Sequence, residues 1–297
     1  MRIFVTGASG WIGSASVTRL IAAGHHVLAL ARSDTAADKI AMLGAEVVRG
    51  TLDDTAGLQA AAAHAEGVVH LGYNHDFSRM AEAARTDQAA IEVYADVLAG
   101  TGAPLLIASG TLGLNKGRVA TEQDMPDATA HPRVANAAYT LGLAKRGIRS
   151  MVVRFAPTVH GSGGDHGFVA VLAGIAREKG VSAYIGEGLN QWPAVHRLDA
   201  AVLVQRAIDI ATPGAVLHAV AEEGVQTRDI ASAIGRHLAL PVESIPAERA
   251  TDHFGWLGKF FGANAPASST WTRQRLAWKP TQATLLEDIA AGHYPGR

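Results

Sequence analysis

Six short apolar runs, most of them rich in β-branched residues, alternate with alanine-rich stretches of helical length over the first half of the chain. The runs are Arg2–Thr6, His26–Ala31, Glu46–Arg49, Gly67–Leu71, Pro104–Ala108 and Ser150–Phe155, and a seventh follows at Val216–Val220. Helical stretches lie between the first six at Trp11–Ala23, Ala36–Leu43, Leu58–Ala63, Ser78–Ala99 and Val134–Lys145. The runs seldom alternate polar with apolar positions, as expected of strands covered on both faces. Strand–helix alternation at this spacing predicts an α/β fold with a Rossmann-type, doubly wound parallel sheet.

Beyond Phe155 the regularity decays. A glycine-rich loop spans His160–Gly167, helical stretches follow at Phe168–Lys179 and Asp199–Ala211, and another begins near Gln226. The aromatic-rich segment Phe254–Pro266 comes after it. These parts predict a smaller C-terminal substrate lobe folded over the C-terminal edge of the sheet, where ligands of such folds bind. The expected division places residues 1–160, with 197–222 returning, in a dinucleotide-binding domain, and residues 161–196 and 223–297 in the lobe.

Composition narrows the function. At 297 residues and 48% hydrophobic, the chain can bury a sizeable core, and its net charge of −1 with no long like-charged run argues against a nucleic-acid partner. Cysteine is absent, which excludes disulfides, thiolate metal sites and a cysteine nucleophile. The chain enters an apolar strand at its second residue, leaving no room for a signal peptide, and no run of about eighteen apolar residues suggests a membrane span. The expectation is a cytoplasmic protein acting on a small molecule.

The strongest chemical signal is TGASGWIG, Thr6–Gly13, between the first strand and the first helix. Gly7 permits the tight turn, Gly10 allows backbone to approach a pyrophosphate, and Gly13 lets helix and strand pack closely. The helix that follows offers unpaired N–H groups to phosphate oxygens.

The G-x-x-G-x-x-G spacing resembles that of the short-chain dehydrogenase/reductase superfamily, and further segments resemble its extended branch in order. GTLDD (Gly50–Asp54) is similar to G-D-L-x-D, VVHLGY (Val68–Tyr73) to V-x-H-L-A-A, and IASGTLG (Ile107–Gly113) to a serine-rich strand end. RFAPTVHG (Arg154–Gly161) resembles R-x-x-x-V-Y-G, WPAVHRLDAA (Trp192–Ala201) resembles V-H-V-x-D-V-A, and RLAWKPT (Arg275–Thr281) the closing L-G-W-x-P. The resemblance implies a nicotinamide dinucleotide held by Gly7, Ser9, Gly10, Trp11, Ile12 and Gly13, by Thr51 and Leu52, by Leu71 and Gly72, and by Pro157 and Val159. A site for NAD(H) wants a carboxylate near the end of the second strand. Here Ala31 is followed by Arg32 and Ser33, which suit the 2′-phosphate of NADP(H), with Asp34 as the contrary residue.

In that family a Tyr-x-x-x-Lys pair on the helix after the fifth strand does the acid–base work. Four residues after Tyr139 stands Leu143, and Lys145, two further on, lies roughly 120° around the helix from Tyr139. Aligned back from Arg154, the family tyrosine falls near His131–Val134, which holds neither residue. Where relatives often have an asparagine in the preceding helix, this chain has Thr86 and Asp87. The sequence is thus similar to atypical members of the extended branch.

Ser109 and Thr111, at the end of the fifth strand, are expected to face the nicotinamide and bind a substrate oxygen, and Tyr139 is a further candidate proton donor. Arg133 could hold a ribose or an oxyanion, His131 titrates in a useful range, and His160 stands where relatives have a tyrosine. His70 is expected to pack at its strand end. No metal is expected, because HExxH and carboxylate clusters at ligand spacing are missing, and no GxSxG elbow supports a hydrolase. Trp256, Phe260 and Phe261 either line an apolar pocket or pack the lobe. The sum is an NADP(H)-dependent oxidoreductase for a fairly apolar carbonyl, alcohol or imine, with a non-catalytic redox sensor as the alternative and a nucleotide-sugar epimerase behind both. The long stretches Ser78–Ala99 and Val134–Lys145 could pair two chains into a homodimer.

Overall fold

The computed structural model describes residues 1–74, 79–114, 117–127, 129 and 132–294. Strands β1 (Arg2–Thr6), β2 (His26–Ala31), β3 (Glu46–Arg49), β4 (Gly67–His70), β5 (Pro104–Gly110) and β6 (Arg149–Phe155) enter one sheet. After an excursion through β7 (Thr158–His160), β8 (Ser182–Ile185) and β9 (Gln191–His196), β10 (Ala215–Ala219) returns to it. The order is β10-β6-β5-β4-β1-β2-β3, parallel throughout. Chain order reverses between β1 and β4, which opens a crevice at their C-terminal ends.

Why the strands read as continuous apolar runs is visible in β1. Ile3 and Val5 belong to one core, with Val17 and Leu20 of α1 (Trp11–Ala22). Phe4 belongs to the opposite core, where it meets Tyr94 edge-on at 6.2 Å. That second layer is built by α3 (Thr55–Ala63), α4 (Met80–Leu98) and α5 (Pro132–Gly142), whereas α2 (Asp34–Met42) packs beside β2 and β3. Parallel strands with helices on both faces have no wet side, so alternation is absent.

The smaller lobe has its own core. It takes α6 (Phe168–Lys179), then, after α7 (Arg197–Ile210) has packed against α1, α8 (Thr227–Leu238), α9 (Ala250–Phe254) and α10 (Gly258–Phe261). Two small sheets brace it: β11 (Glu222–Gln226), β9 and β7 in one, β12 (Val242–Ile245) and β8 in the other. Two departures from the sequence expectation matter. The segment around α11 (Thr270–Leu276), assigned by sequence to the lobe, contributes Leu276 and Trp278 to the core of the large sheet instead. Trp278 Nε1 also donates to the Asp199 carbonyl at 3.0 Å. And α5 starts two residues earlier than expected and stops at Gly142, so Lys145 lies in the short 3-10 turn Leu143–Arg146 rather than on the helix.

Candidate functional site

The glycine turn closes on the end of β4. Gly7 has φ +70°, and a Cβ there would sit 2.6 Å from the Gly72 nitrogen. A Cβ on Gly13 would collide with the Gly7 carbonyl. Nothing but glycine fits this cradle, and α1 starts with no side chain capping its first N–H groups. Those groups, from Trp11, Ile12 and Gly13, are the donors that a pyrophosphate would take up. The residues therefore fit a dinucleotide. The side chain of Trp11 does something else: Nε1 donates to the Val159 carbonyl at 2.7 Å, strapping the turn to β7, and the Arg197 guanidinium lies 4.2 Å over its ring.

The end of β2 is cationic. Arg32 is exposed, and Ser33 caps α2 by accepting from the Ala36 N–H at 3.2 Å. Asp34, the residue arguing for NAD(H), pairs with Arg49 at 2.7 Å. Lys39, which sequence reasoning passed over, donates from Nζ to the Ser9 carbonyl at 2.7 Å and so bridges α2 to the glycine turn. Thr51 and Leu52 follow β3, and their neighbour Asp53 accepts from Thr86 on α4 at 3.0 Å. Leu71 and Gly72 leave β4 beside Gly7, and Gly72 N–H donates to Thr6 Oγ1 at 3.1 Å. Pro157 precedes β7, and Val159 lies within it.

The candidates for chemistry separate. Ser109 is half-buried at the end of β5, and its hydroxyl has no hydrogen-bond partner among the described residues. Thr111 is buried, with its hydroxyl 3.5 Å from the Phe155 carbonyl. Tyr139 does not join them. It lies on an exposed part of α5 near Arg146, and six residues from Arg133 carry it about 9 Å back along the helix from the sheet edge. His131 lies outside the described residues. Arg133 does reach the edge, with Nη2 3.5 Å from the Ala108 carbonyl and its guanidinium 4.1 Å over the Tyr73 ring.

Behind Arg133 runs a buried chain of polar groups. Thr6 Oγ1 is 2.8 Å from His70 Nδ1, His70 Nε2 is 3.1 Å from Asp87 Oδ1, and Asn136 Nδ2 donates to Asp87 Oδ2 at 2.7 Å. Burial pushes the Asp87 carboxyl up, but the hydrogen bonds from His70 and Asn136 and the charge of Arg133 outweigh it and hold the acid below its ordinary range. Asp87 is thus a fixed anion facing Arg133. His70, read as a packing residue, is a member of this chain. Its link to Asp87 was invisible in one dimension, though the unusual Asp87 was a pointer.

A second cluster gathers where β7 meets the C-terminal helix α12 (Leu285–Ala290). His160 Nδ1 lies 2.5 Å from Asp288 Oδ2, with His196 and His293 also near Asp288, and Tyr294 donates to Asp165 at 2.9 Å. His160 is fully buried and its Nε2 has no hydrogen-bond partner. Among the described residues no group of His, Asp and Glu could hold a metal ion, and no helix is long and apolar enough to cross a membrane.

Comparison with known proteins agrees with this geometry. An uncharacterized protein of Schizosaccharomyces pombe is 46% identical over 295 residues, 99% of this chain and 100% of that one. Another from Saccharomyces cerevisiae is 42% identical over 296 residues, 99% of each chain. Among solved structures, a UDP-glucose 4-epimerase of Thermotoga maritima superposes with a TM-score of 0.78 at 19% identity, over 98% of this chain and 96% of that one. Residues 3–209 match the NAD dependent epimerase/dehydratase family. The chain belongs to that family.

Proposed function

We propose that this protein is an NADP(H)-dependent oxidoreductase that reduces a small, fairly apolar carbonyl or imine, or runs the reverse oxidation. The observation that carries the reading is the unpartnered Ser109 hydroxyl at the same sheet edge as the glycine cradle. A bound dihydronicotinamide supplies hydride to the carbonyl carbon and is oxidised as the carbonyl is reduced. Ser109 then donates to the substrate oxygen and orients it, which is where a positioned hydroxyl contributes most. Thr111, turned toward Phe155, supports the strand end.

Preference for the 2′-phosphate is supported by Arg32 and Ser33 before α2 and by Lys39 farther along it, whose Nζ reaches the glycine turn, with Asp34 paired to Arg49. Arg32→Ala should weaken NADPH binding roughly tenfold while leaving NADH nearly unchanged. An apolar substrate is supported by the lobe's aromatic cluster. The Phe168 ring lies 5.5 Å from Trp192, 5.7 Å from Trp256 and 6.1 Å from Phe260. Trp256, 47% exposed, stands at the rim of that cluster. Such a surface suits a hydrocarbon skeleton better than a diphosphate.

The test is NADPH oxidation by purified protein against a panel of aldehydes, ketones and cyclic imines. Turnover that falls with Ser109→Ala supports the reading. Tight NADPH binding without turnover on any of them favours a protein that binds the cofactor to report its redox state.

A further inference from the structure

Two side chains from elements distant in sequence meet at the sheet edge that carries Ser109. β4 pairs with β5 as far as His70 opposite Ile107, and Tyr73 follows three residues beyond the end of that strand. The chain there is held in place, because Gly72 is bonded to Thr6 and packed against Gly7. Arg133 arrives from the first turn of α5, reaches the Ala108 carbonyl and covers the Tyr73 ring. A half-buried phenol under a guanidinium that itself reaches the carbonyl preceding Ser109 is an acid at the edge where a substrate oxygen needs a proton.

We infer that Tyr73 is the proton donor of this site and that Arg133, with the charge of Asp87 behind it, is the positioning residue that orients and tunes it. The inference rests on the oxidoreductase reading above. As hydride reaches the carbonyl carbon, the Tyr73 O–H bond breaks, its proton passes to the carbonyl oxygen, and an alcohol forms. The phenolate left behind sits under the Arg133 cation and regains its proton from water. In alcohol oxidation the same phenolate takes the proton up.

Among the described residues, the charged groups that act on Tyr73 are Arg133 from α5 and Asp87 from α4. Burial pushes the phenol up, Arg133 pulls it down and Asp87 pushes it up, with a net rise above the ordinary tyrosine value. Tyr73 is therefore a protonated acid at neutral pH, and Arg133 is the group that keeps its conjugate base within reach. Asp87 in turn is kept ionised by His70 and Asn136, so the chain back to Thr6 ties the acid's electrostatics to the strand that carries the glycine turn.

The experiment compares the wild-type protein with Tyr73→Phe, Arg133→Met and Arg133→Lys, reading NADPH affinity, carbonyl reduction and the pH profile of alcohol oxidation. Tyr73→Phe should lower kcat by about a hundred- to ten-thousandfold with NADPH affinity within a few-fold of wild type. Arg133→Met should move the rising limb of alcohol oxidation to higher pH, because the phenol loses its neighbouring cation, and Arg133→Lys should move it back. A merely structural arginine would not shift that limb. Turnover that survives in Tyr73→Phe, or a limb that stays put in Arg133→Met, overturns the inference and leaves the oxidoreductase reading standing. A wild type that binds NADPH yet reduces nothing on the panel overturns both.

Discussion

Two histidine–aspartate pairs are buried in this molecule, and they are built to opposite ends. His70–Asp87 sits at the sheet edge, and partners are supplied all round: Thr6 on the far ring nitrogen, Asn136 on the far carboxylate oxygen. His160–Asp288 joins the lobe to the C-terminal helix, and its far ring nitrogen has no hydrogen-bond partner. The first arrangement fixes one charge state, and Asp87 is an anion whose charge acts on Arg133. The second crowds titratable groups whose charges are opposed by burial. It lowers His160 and His196 and raises Asp165 and Glu222, in each case with burial as the largest cause. Full satisfaction gives a rigid electrostatic scaffold, whereas partial satisfaction gives a region whose stability responds to pH.

The comparison breaks most easily at Asp288. It accepts from His160 and His293 and links chain segments 128 residues apart. Asp288→Ala should cost about 3 kcal/mol in urea unfolding, since it leaves buried imidazole donors without acceptors. Asp87→Ala should cost less, about 2 kcal/mol, because Asn136 Nδ2 keeps its bond to the Ala84 carbonyl at 2.9 Å and His70 keeps Thr6 on its other ring nitrogen. Equal losses at the two sites would mean that the partners around Asp87 contribute nothing beyond burial.

Acidification sharpens the contrast. A histidine depressed below its ordinary 6.5 binds fewer protons folded than unfolded, so stability is intact above that pH and declines as pH falls through 6.5 toward the folded value. His160 and His196 of this cluster, with His218 and His253 elsewhere, should therefore make stability fall from pH 7 to pH 5.5, by at most about 1.4 kcal/mol per pH unit for each group. Asp165 and Glu222 act the other way. Their raised acids take up protons in the folded state first, so below their folded values they return stability and flatten the curve. His160→Gln should reduce the slope between pH 7 and pH 5.5. An unchanged slope would place the sensitivity in His196, His218 and His253.

Which parts were legible in one dimension follows from the same contrast. The strands and helices of the large sheet announce themselves because each buries a local apolar pattern. β1, β2 and β3 fall on their expected residues, and Phe168–Lys179 is the helix that the periodicity predicts. The glycine turn was legible because its constraint is local, acting between Gly7, Gly10 and Gly13. The lobe's three-stranded sheet was not, since β7, β9 and β11 are three to six residues long and pair across 28 to 36 positions. The acid–base machinery was hidden for a similar reason. Tyr73 and Arg133 lie 60 positions apart, so no spacing rule on one helix could pair them, whereas Tyr139 and Lys145 fall within one expected helical stretch.

The smallest expected effect is also the most discriminating. Thr6→Val keeps the shape of the side chain and removes one oxygen, the one that accepts from Gly72 N–H and faces His70 Nδ1. If the chain from Thr6 to Asp87 works as a unit, the substitution should cost about 1 kcal/mol in stability. It should also loosen the edge on which Tyr73 stands, lowering kcat several-fold with little change in NADPH affinity. Combined with Asp87→Ala, the two losses should then fall short of additive, because each interrupts the same chain. Strict additivity would mean that Thr6 and Asp87 act separately, and the sheet-edge pair would then differ from His160–Asp288 only in how many neighbours it has, not in being a connected scaffold.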